Sequence, residues 1–448
     1  MTEITCLKPK ELVKVLDRFI IGQEEAKKAV SVALRNRYRR KLVAKPLRDD
    51  IVPKNILMIG PTGVGKTEIA RRIAKLIDAP FVKVEATNFT EVGYVGKDVD
   101  SIIKDLVDVS IKKEKKKIND ENEKKAKEVA KQRIIDIMME KFVEEDENKI
   151  STERERLSKL FDEGKLFDNE IDINVPDQPK SVLEQIDIPG GSAHVGMINI
   201  GDIIGKSFGF ERKKKKTMLV KEAFDIFVEE VEEDLIDEDK VRKIAIKKVE
   251  EDGIVFIDEI DKVSMRDTTS VRGANVSREG VQRDLLPLIE GTTVSTKYGI
   301  VKTDHILFIA SGAFHNSSPS DLLPEFQGRF PIRVKLKQLT EKDFVKILTE
   351  PDTSLTKQYI ALMETEGINL SFSKDGISSI ASYAFKMNEE VENIGARRLH
   401  TLIEKIIEDL SYNASEMKKG TKVKIDKKYV ESHIGDLNQK IDVNKFIL

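Results

Sequence analysis

The chain has 448 residues, enough for two to four domains that each bury a core. Charged residues make up 35% of it yet leave a net charge of only −2, which argues against a nucleic-acid binder built on a basic excess and against a disordered polyanion. A single cysteine, Cys6, rules out an internal disulfide framework and a four-cysteine zinc module.

The N-terminal stretch MTEITCLKPK has no apolar core of a signal peptide, and no apolar run is long enough to predict a membrane span. The expectation is a soluble cytoplasmic protein without a membrane or nucleic-acid partner. Leu12, Val15, Leu16 and Phe19 predict one helical face, and Ala26, Ala29, Val30, Ala33 and Leu34 a second. The turn at Ile20–Gln23 separates them. An apolar run, Ile56–Ile59, precedes GPTGVGKT at Gly60–Thr67, and helical periodicity resumes at Ile69, Ile73, Leu76 and Ile77. A further apolar run follows at Phe81–Ala86.

Composition changes near residue 111, where an almost purely charged stretch begins. Ile134, Ile135, Met138, Met139, Phe142 and Val143 give it one apolar helical face. Residues 175–210 read as irregular loops, Lys213–Lys216 as a solvated basic run and 229–239 as an acidic one. Together, 111–243 read as an inserted helical domain. It divides a large domain into 1–110 and 244–336. Apolar strands are predicted at Ile254–Ile257, His305–Ala310 and Pro331–Leu336, and their alternation with helical patterns predicts an α/β fold around a mainly parallel sheet. Residues 337–448 read as a small, mainly helical domain with a short β element at Lys422–Ile425.

Strand, glycine loop and helix are the context of a phosphate-binding P-loop. Glycines let the backbone wrap an anion, and the helix N-terminus adds partial positive charge. In that pattern Lys66 reaches the β- and γ-phosphates and Thr67 holds Mg²⁺. The strand Ile254–Ile257 ends in Asp258 and Glu259, a Walker B pattern: Asp258 for the Mg²⁺ shell, Glu259 to polarise the attacking water. Ser311, at the end of a strand, is either a γ-phosphate sensor or part of a plain turn. Arg329 and Arg397 suit either charge stabilisation of a phosphoryl group or surface pairing. Gly93, Tyr94, Val95 and Gly96 form either a mobile apolar grip or an ordinary turn. Gly205–Gly209 matches G-x-S-x-G but lacks the strand and helix that a hydrolase elbow needs. The five histidines are isolated in sequence and read as surface or core residues, and no peptidase site is expected.

The motifs IIGQ (20–23), GPTGVGKTE (60–68), GYVG (93–96), IVFIDEIDK (254–262), VSREGVQRDLLPL (276–288), STKYGIVKTDHILFIASGAF (295–314), PEFQGRFPIRV (324–334) and NIGARRLHT (393–401) stand in an order that resembles the HslU (ClpY) family of AAA+ ATPases, nearly end to end. The resemblance implies an AAA+ fold with an inserted intermediate domain, a homohexameric ring, and ATP with Mg²⁺ at the subunit interfaces. It implies Ile21 near the adenine, Gly63, Val64, Gly65, Lys66, Thr67 and Glu68 around the phosphates, and Asp258, Glu325 and Arg397 completing the site. Arg329 becomes a finger from the neighbouring subunit, and Tyr94 and Val95 line a central pore that pulls unfolded or tagged proteins. The partner it implies is an HslV-type threonine peptidase, switched on by a tail ending in Phe446, Ile447 and Leu448, residues compact and apolar enough to anchor in a pocket. The related ClpX pattern fits less well, because its zinc module needs several cysteines.

Overall fold

The computed structural model describes residues 8–90, 97–139, 147–176, 213–264, 278–315 and 317–434. The expected pore residues Gly93–Gly96, the Gly205–Gly209 motif and the tail Phe446–Leu448 lie outside the described residues. The chain forms two compact units, Met1–Lys112 with Arg242–Leu448, and Lys113–Val241.

The first unit opens with α1 (Pro9–Asp17), whose Glu11 carboxylate accepts from the Lys8 N–H at 2.7 Å and whose Leu12 and Leu16 are buried. Two successive left-handed residues, Gly22 and Gln23, turn the chain into α2 (Glu24–Lys41). That helix starts with two glutamates and ends with three basic residues, in the sense its dipole favours. After the short α3 (Leu47–Asp50), strand β1 (Ile56–Ile59) leads through the glycine loop into α4 (Lys66–Leu76). The buried face of α4 is Ile69, Ala70, Ile73 and Ala74, one stripe at helical spacing. Strand β2 (Phe81–Glu85) and the start of α5 (Ser101–Met139) follow.

The second unit contains the rest of α5, α6 (Glu147–Asp162), β3 (Glu170–Pro176), β4 (Lys213–Leu219), α7 (Val220–Asp234) and the first residues of α8 (Glu238–Asp252). Its core gathers Ile134, Leu157, Phe161, Ile173, Met218 and Phe227. The lysine run expected to be no more than a solvated face is a strand: β4 pairs antiparallel with β3, Met218 opposite Ile171. Ile171 and Ile173, two apart, share the buried face of the pair, and exposed Lys216 keeps its charge in water on a long apolar stem. A helix-only reading missed this because charge hid the period-two pattern.

The chain re-enters the first unit with β5 (Ile254–Asp258), α9 (Arg278–Glu290), a hairpin of β6 (Thr293–Thr296) and β7 (Gly299–Lys302), β8 (Leu307–Gly312), α10 (Pro324–Arg329) and β9 (Ile332–Lys335). Among the described residues the central sheet has five strands in the order β2-β5-β8-β1-β9, every pair parallel. Strand β8 runs through Ser311 and Gly312, beyond the expected HILFIA stretch, because Met58 and Ile59 pair with them. Ile56, Met58, Phe256, Leu307 and Ile309 are buried between helices, as a parallel sheet requires.

A second core forms among α11 (Glu341–Thr349), α12 (Leu355–Thr365), β10 (Asn369–Phe372), α13 (Lys374–Glu390), α14 (Arg397–Asn413), β11 (Lys422–Ile425) and α15 (Lys427–Ile434). Thr340 and Asp343 close α11 with a capping box, the Asp343 N–H donating to the Thr340 hydroxyl at 3.2 Å and the Thr340 N–H to Asp343 at 2.9 Å. Leu339 packs against both cores.

At the amino ends of the strands, buried Arg37 on α2 donates to the carbonyls of Glu251 (2.8 Å), Asp252 (3.2 Å), Gly253 (3.1 Å) and His305 (2.9 Å). It thereby ties α2 to the end of α8 and the starts of β5 and β8, while burial pulls its pKa down to about 10. His305 contacts the Arg40 guanidinium, and its pKa is lowered by burial first, then by Arg40 and Arg37, with Asp304 and Asp49 opposing. In the unfolded chain its pKa returns to about 6.5. Between the two values the unfolded state holds more protons, so the stability His305 contributes is complete above the unfolded pKa and lost as pH falls toward the folded one. Thermal midpoints measured from pH 7.5 to 5 should fall, and His305→Gln should flatten that fall. An equal slope in both proteins contradicts the assignment.

Candidate active site

The loop between β1 and α4 carries two glycines in the left-handed region, Gly63 (φ +73°) and Gly65 (φ +101°). A Cβ on Gly63 would also stand 2.0 Å from the Ile394 carbonyl oxygen, so conformation and space both demand glycine there. Helix α4 has no side-chain cap. Among the described residues no protein acceptor meets the N–H groups of Lys66, Thr67 and Glu68. Those orphan donors and the helix dipole suit an anion.

Lys66, the first residue of α4, is buried and donates to the Gly60 and Pro61 carbonyls, the latter at 2.9 Å. Burial lowers its pKa, Asp258 and Asp261 oppose that, and Arg397 adds to it. Strand register sets the opposing carboxylate. Asp258 ends β5, with β8 between β5 and β1, so Ser311 lies between the loop strand and the acidic strand. Asp258 accepts from the Thr67 hydroxyl at 3.3 Å, from Lys83 at 3.2 Å, from the Glu259 N–H at 3.1 Å and from the Ser311 hydroxyl. Burial works against its charge, but Ser311, Lys83 and the Glu259 N–H outweigh it and hold the carboxyl below its ordinary range. Glu259 is exposed and left-handed at φ +56°, an uncommon conformation for a residue with a Cβ.

Glu68 pairs with Arg72 at 2.6 Å and with Arg71 at 3.0 Å, and these bonds overcome burial to lower its pKa. A cleft of about 930 Å³ joins Ile21, the loop residues Gly63–Glu68, Asp258, Glu259 and Arg397. Arg397 begins α14, and the Ala396 N–H just before it donates to the Gly63 carbonyl at 3.0 Å. Glu325 and Arg329, both on α10, do not line this cleft. Arg329 instead pairs with Glu290 at 2.8 Å on the surface, its backbone held by the Asn55 side chain.

Sequence reasoning missed Lys83, two strand positions before Glu85, which itself lies opposite Asp258. His315 and His400, expected at the surface or in a core, line the cleft. For His400 a signal existed: it lies three residues after Arg397 on one helix, hence on the same face.

A glycine loop opening a helix and an Asp-Glu strand end two strands away, on a parallel sheet, define a P-loop ATPase of the AAA class. Residues 56–165 match the ATPase family associated with various cellular activities (AAA), and residues 191–333 match the AAA domain of the Cdc48 subfamily. The chain is 55% identical over 443 residues to the ATP-dependent protease ATPase subunit HslU of Rickettsia felis, covering 99% of this chain and 97% of that protein. It is 54% identical to the HslU of Rickettsia conorii over the same shares, and 53% identical to that of Cereibacter sphaeroides over the full length of both. The chain belongs to the HslU family, and it is an ATP hydrolase. Among the described residues no helix is long and apolar enough to cross a membrane.

Proposed function

We propose that this chain is the ATP-driven unfolding subunit of a cytoplasmic two-component protease, working as a homohexamer and feeding an HslV-type threonine peptidase. The observation that carries this reading is the meeting of Lys66, Thr67, Asp258, Glu259 and Arg397 in one cleft, against a loop whose N–H groups meet no protein acceptor among the described residues. The cleft volume, about 930 Å³, is ample for a nucleotide, and its buried cation and orphan donors fit a polyphosphate.

In this reading Ile21 takes the adenine, and Gly63, Val64, Gly65, Lys66, Thr67 and Glu68 hold the phosphates. Thr67 and Asp258, already bonded to each other, are the oxygen donors suited to the shell of Mg²⁺, which neutralises charge on the transferred phosphoryl group. Glu259 orients the water. Arg397 reports nucleotide to the second core, and Arg329 with Glu325 serves the site of the neighbouring subunit. Residues 111–243 form the intermediate domain that meets substrate, between large-domain parts 1–110 and 244–336, with 337–448 as the C-terminal domain. Tyr94 and Val95, flanked by Gly93 and Gly96, pull the polypeptide, and Phe446, Ile447 and Leu448 switch on the peptidase. The test is peptide cleavage by a purified HslV-type peptidase. The full chain with ATP should stimulate it, and removal of residues 445–448 should abolish stimulation while ATPase persists. Stimulation that survives the trimming refutes the tail's role.

A further inference from the structure

Gln23 sits in a conformation that residues with a Cβ avoid, φ 60° and ψ 38°, directly after left-handed Gly22. A glycine would hold that backbone without strain, so the glutamine side chain needs its own explanation. Its carboxamide makes two bonds to one backbone residue: Nε2 donates to the Lys337 carbonyl at 2.8 Å, and Oε1 accepts from the Lys337 N–H at 2.9 Å. Lys337 follows β9, after Leu336, whose N–H donates to the Ile59 carbonyl at 2.7 Å. Two residues on, Leu339 packs against both cores and lines the same cleft as Ile20 and Ile21. Buried Lys27 holds the other side of the turn, donating to Glu24 at 3.0 Å, to Asp17, and to the Ile20 carbonyl at 3.4 Å. Ile21, between these anchors, has no main-chain hydrogen bond to protein among the described residues, which leaves its N–H and C=O for the edge of a base.

We propose that Gln23 is a positioning residue for the nucleotide base. Its two-point clamp fixes Lys337 to the Ile20–Gly22 turn, and so sets both walls of the base site: Ile21 on one side and Leu339, at the junction of the two cores, on the other. The inference rests on the nucleotide reading of the cleft. An amide is required, because a carboxylate keeps the acceptor for the Lys337 N–H but sets an oxygen against the Lys337 carbonyl.

The experiment compares ATP and GTP hydrolysis by the full chain with that of Gln23→Glu and Gln23→Ala. The expected result is a KM for ATP raised about tenfold in both variants with kcat within about twofold, since base positioning is binding shared by ground and transition states. The ATP-over-GTP preference should fall, because a loosened wall reads the base edge less well. An unchanged KM, a fall in kcat at constant KM, or an undiminished preference would overturn the proposal. Loss of the folded state in both variants, seen as a missing thermal transition without nucleotide, would overturn it too, since the clamp would then be structural. Lys66→Ala run in parallel separates the two claims. Undiminished hydrolysis in that variant refutes the nucleotide site, whereas its loss beside an unchanged KM in Gln23→Glu refutes the clamp alone.

Discussion

Glu259→Gln should bind ATP about as tightly as the parent chain and hydrolyse it roughly 10²–10⁴-fold more slowly, the span expected for a positioned general base. The geometry separates Glu259 from the binding groups. Asp258 is half-buried in a knot of donors, Thr67, Lys83, Ser311 and the Glu259 N–H, and its charge belongs to that network. Glu259 is turned out of the strand line by its left-handed backbone and stands exposed at the cleft. Glutamine keeps the size and removes the basicity, so the loss belongs to the water-activating step. Single-turnover hydrolysis, with binding of a fluorescent ATP analogue alongside, measures both halves. Normal turnover ends the assignment of Glu259 as the base, and lost binding moves its role to holding substrate.

Arg329→Ala should lower ATP turnover by about 10³–10⁵-fold in the assembled protein, the range for an arginine finger. That is roughly 4–7 kcal/mol of transition-state stabilisation. The bond Arg329 makes within its own chain is weak by comparison. Its pair with Glu290 is about half exposed on both sides, and such pairs contribute about 0.2–1 kcal/mol. A pair that weak would cost little to break, so it is no obstacle to a finger role for the guanidinium. The Asn55 side chain donates to the Arg329 carbonyl at 3.2 Å and so anchors the backbone beneath the guanidinium. Since Arg329 does not line the cleft of its own chain, the loss should appear with nucleotide affinity retained. Mixing the variant with Lys66→Ala chains tests action between subunits. If turnover does not return in any mixture, the finger does not act across an interface.

Much of this site was legible in the residues. The apolar runs at Ile56–Ile59 and Ile254–Ile257 are strands buried at every position but Ile59, so composition alone marks them, and the loop residues follow a spacing that few other arrangements share. Ser311 was ambiguous because its role depends on register: Ile257 opposite Ala310 brings the next residues, Asp258 and Ser311, together across β5 and β8, and register is not written in a local pattern. Lys83 and Gln23 escaped for the same reason, acting through partners 175 and 314 positions away. Strand β10 and the β6–β7 hairpin have four-residue strands, too short for periodicity to show. Lys213–Lys216 looked like a charge run because lysine hides strand alternation.

The measurement closest to the central claim is hydrolysis of a small fluorogenic peptide by a purified HslV-type threonine peptidase, with the full chain added, with and without ATP. Strong stimulation that requires both chain and ATP, and that Lys66→Ala abolishes, is the expected result. Peptidase activity indifferent to the chain while the chain hydrolyses ATP would contradict it.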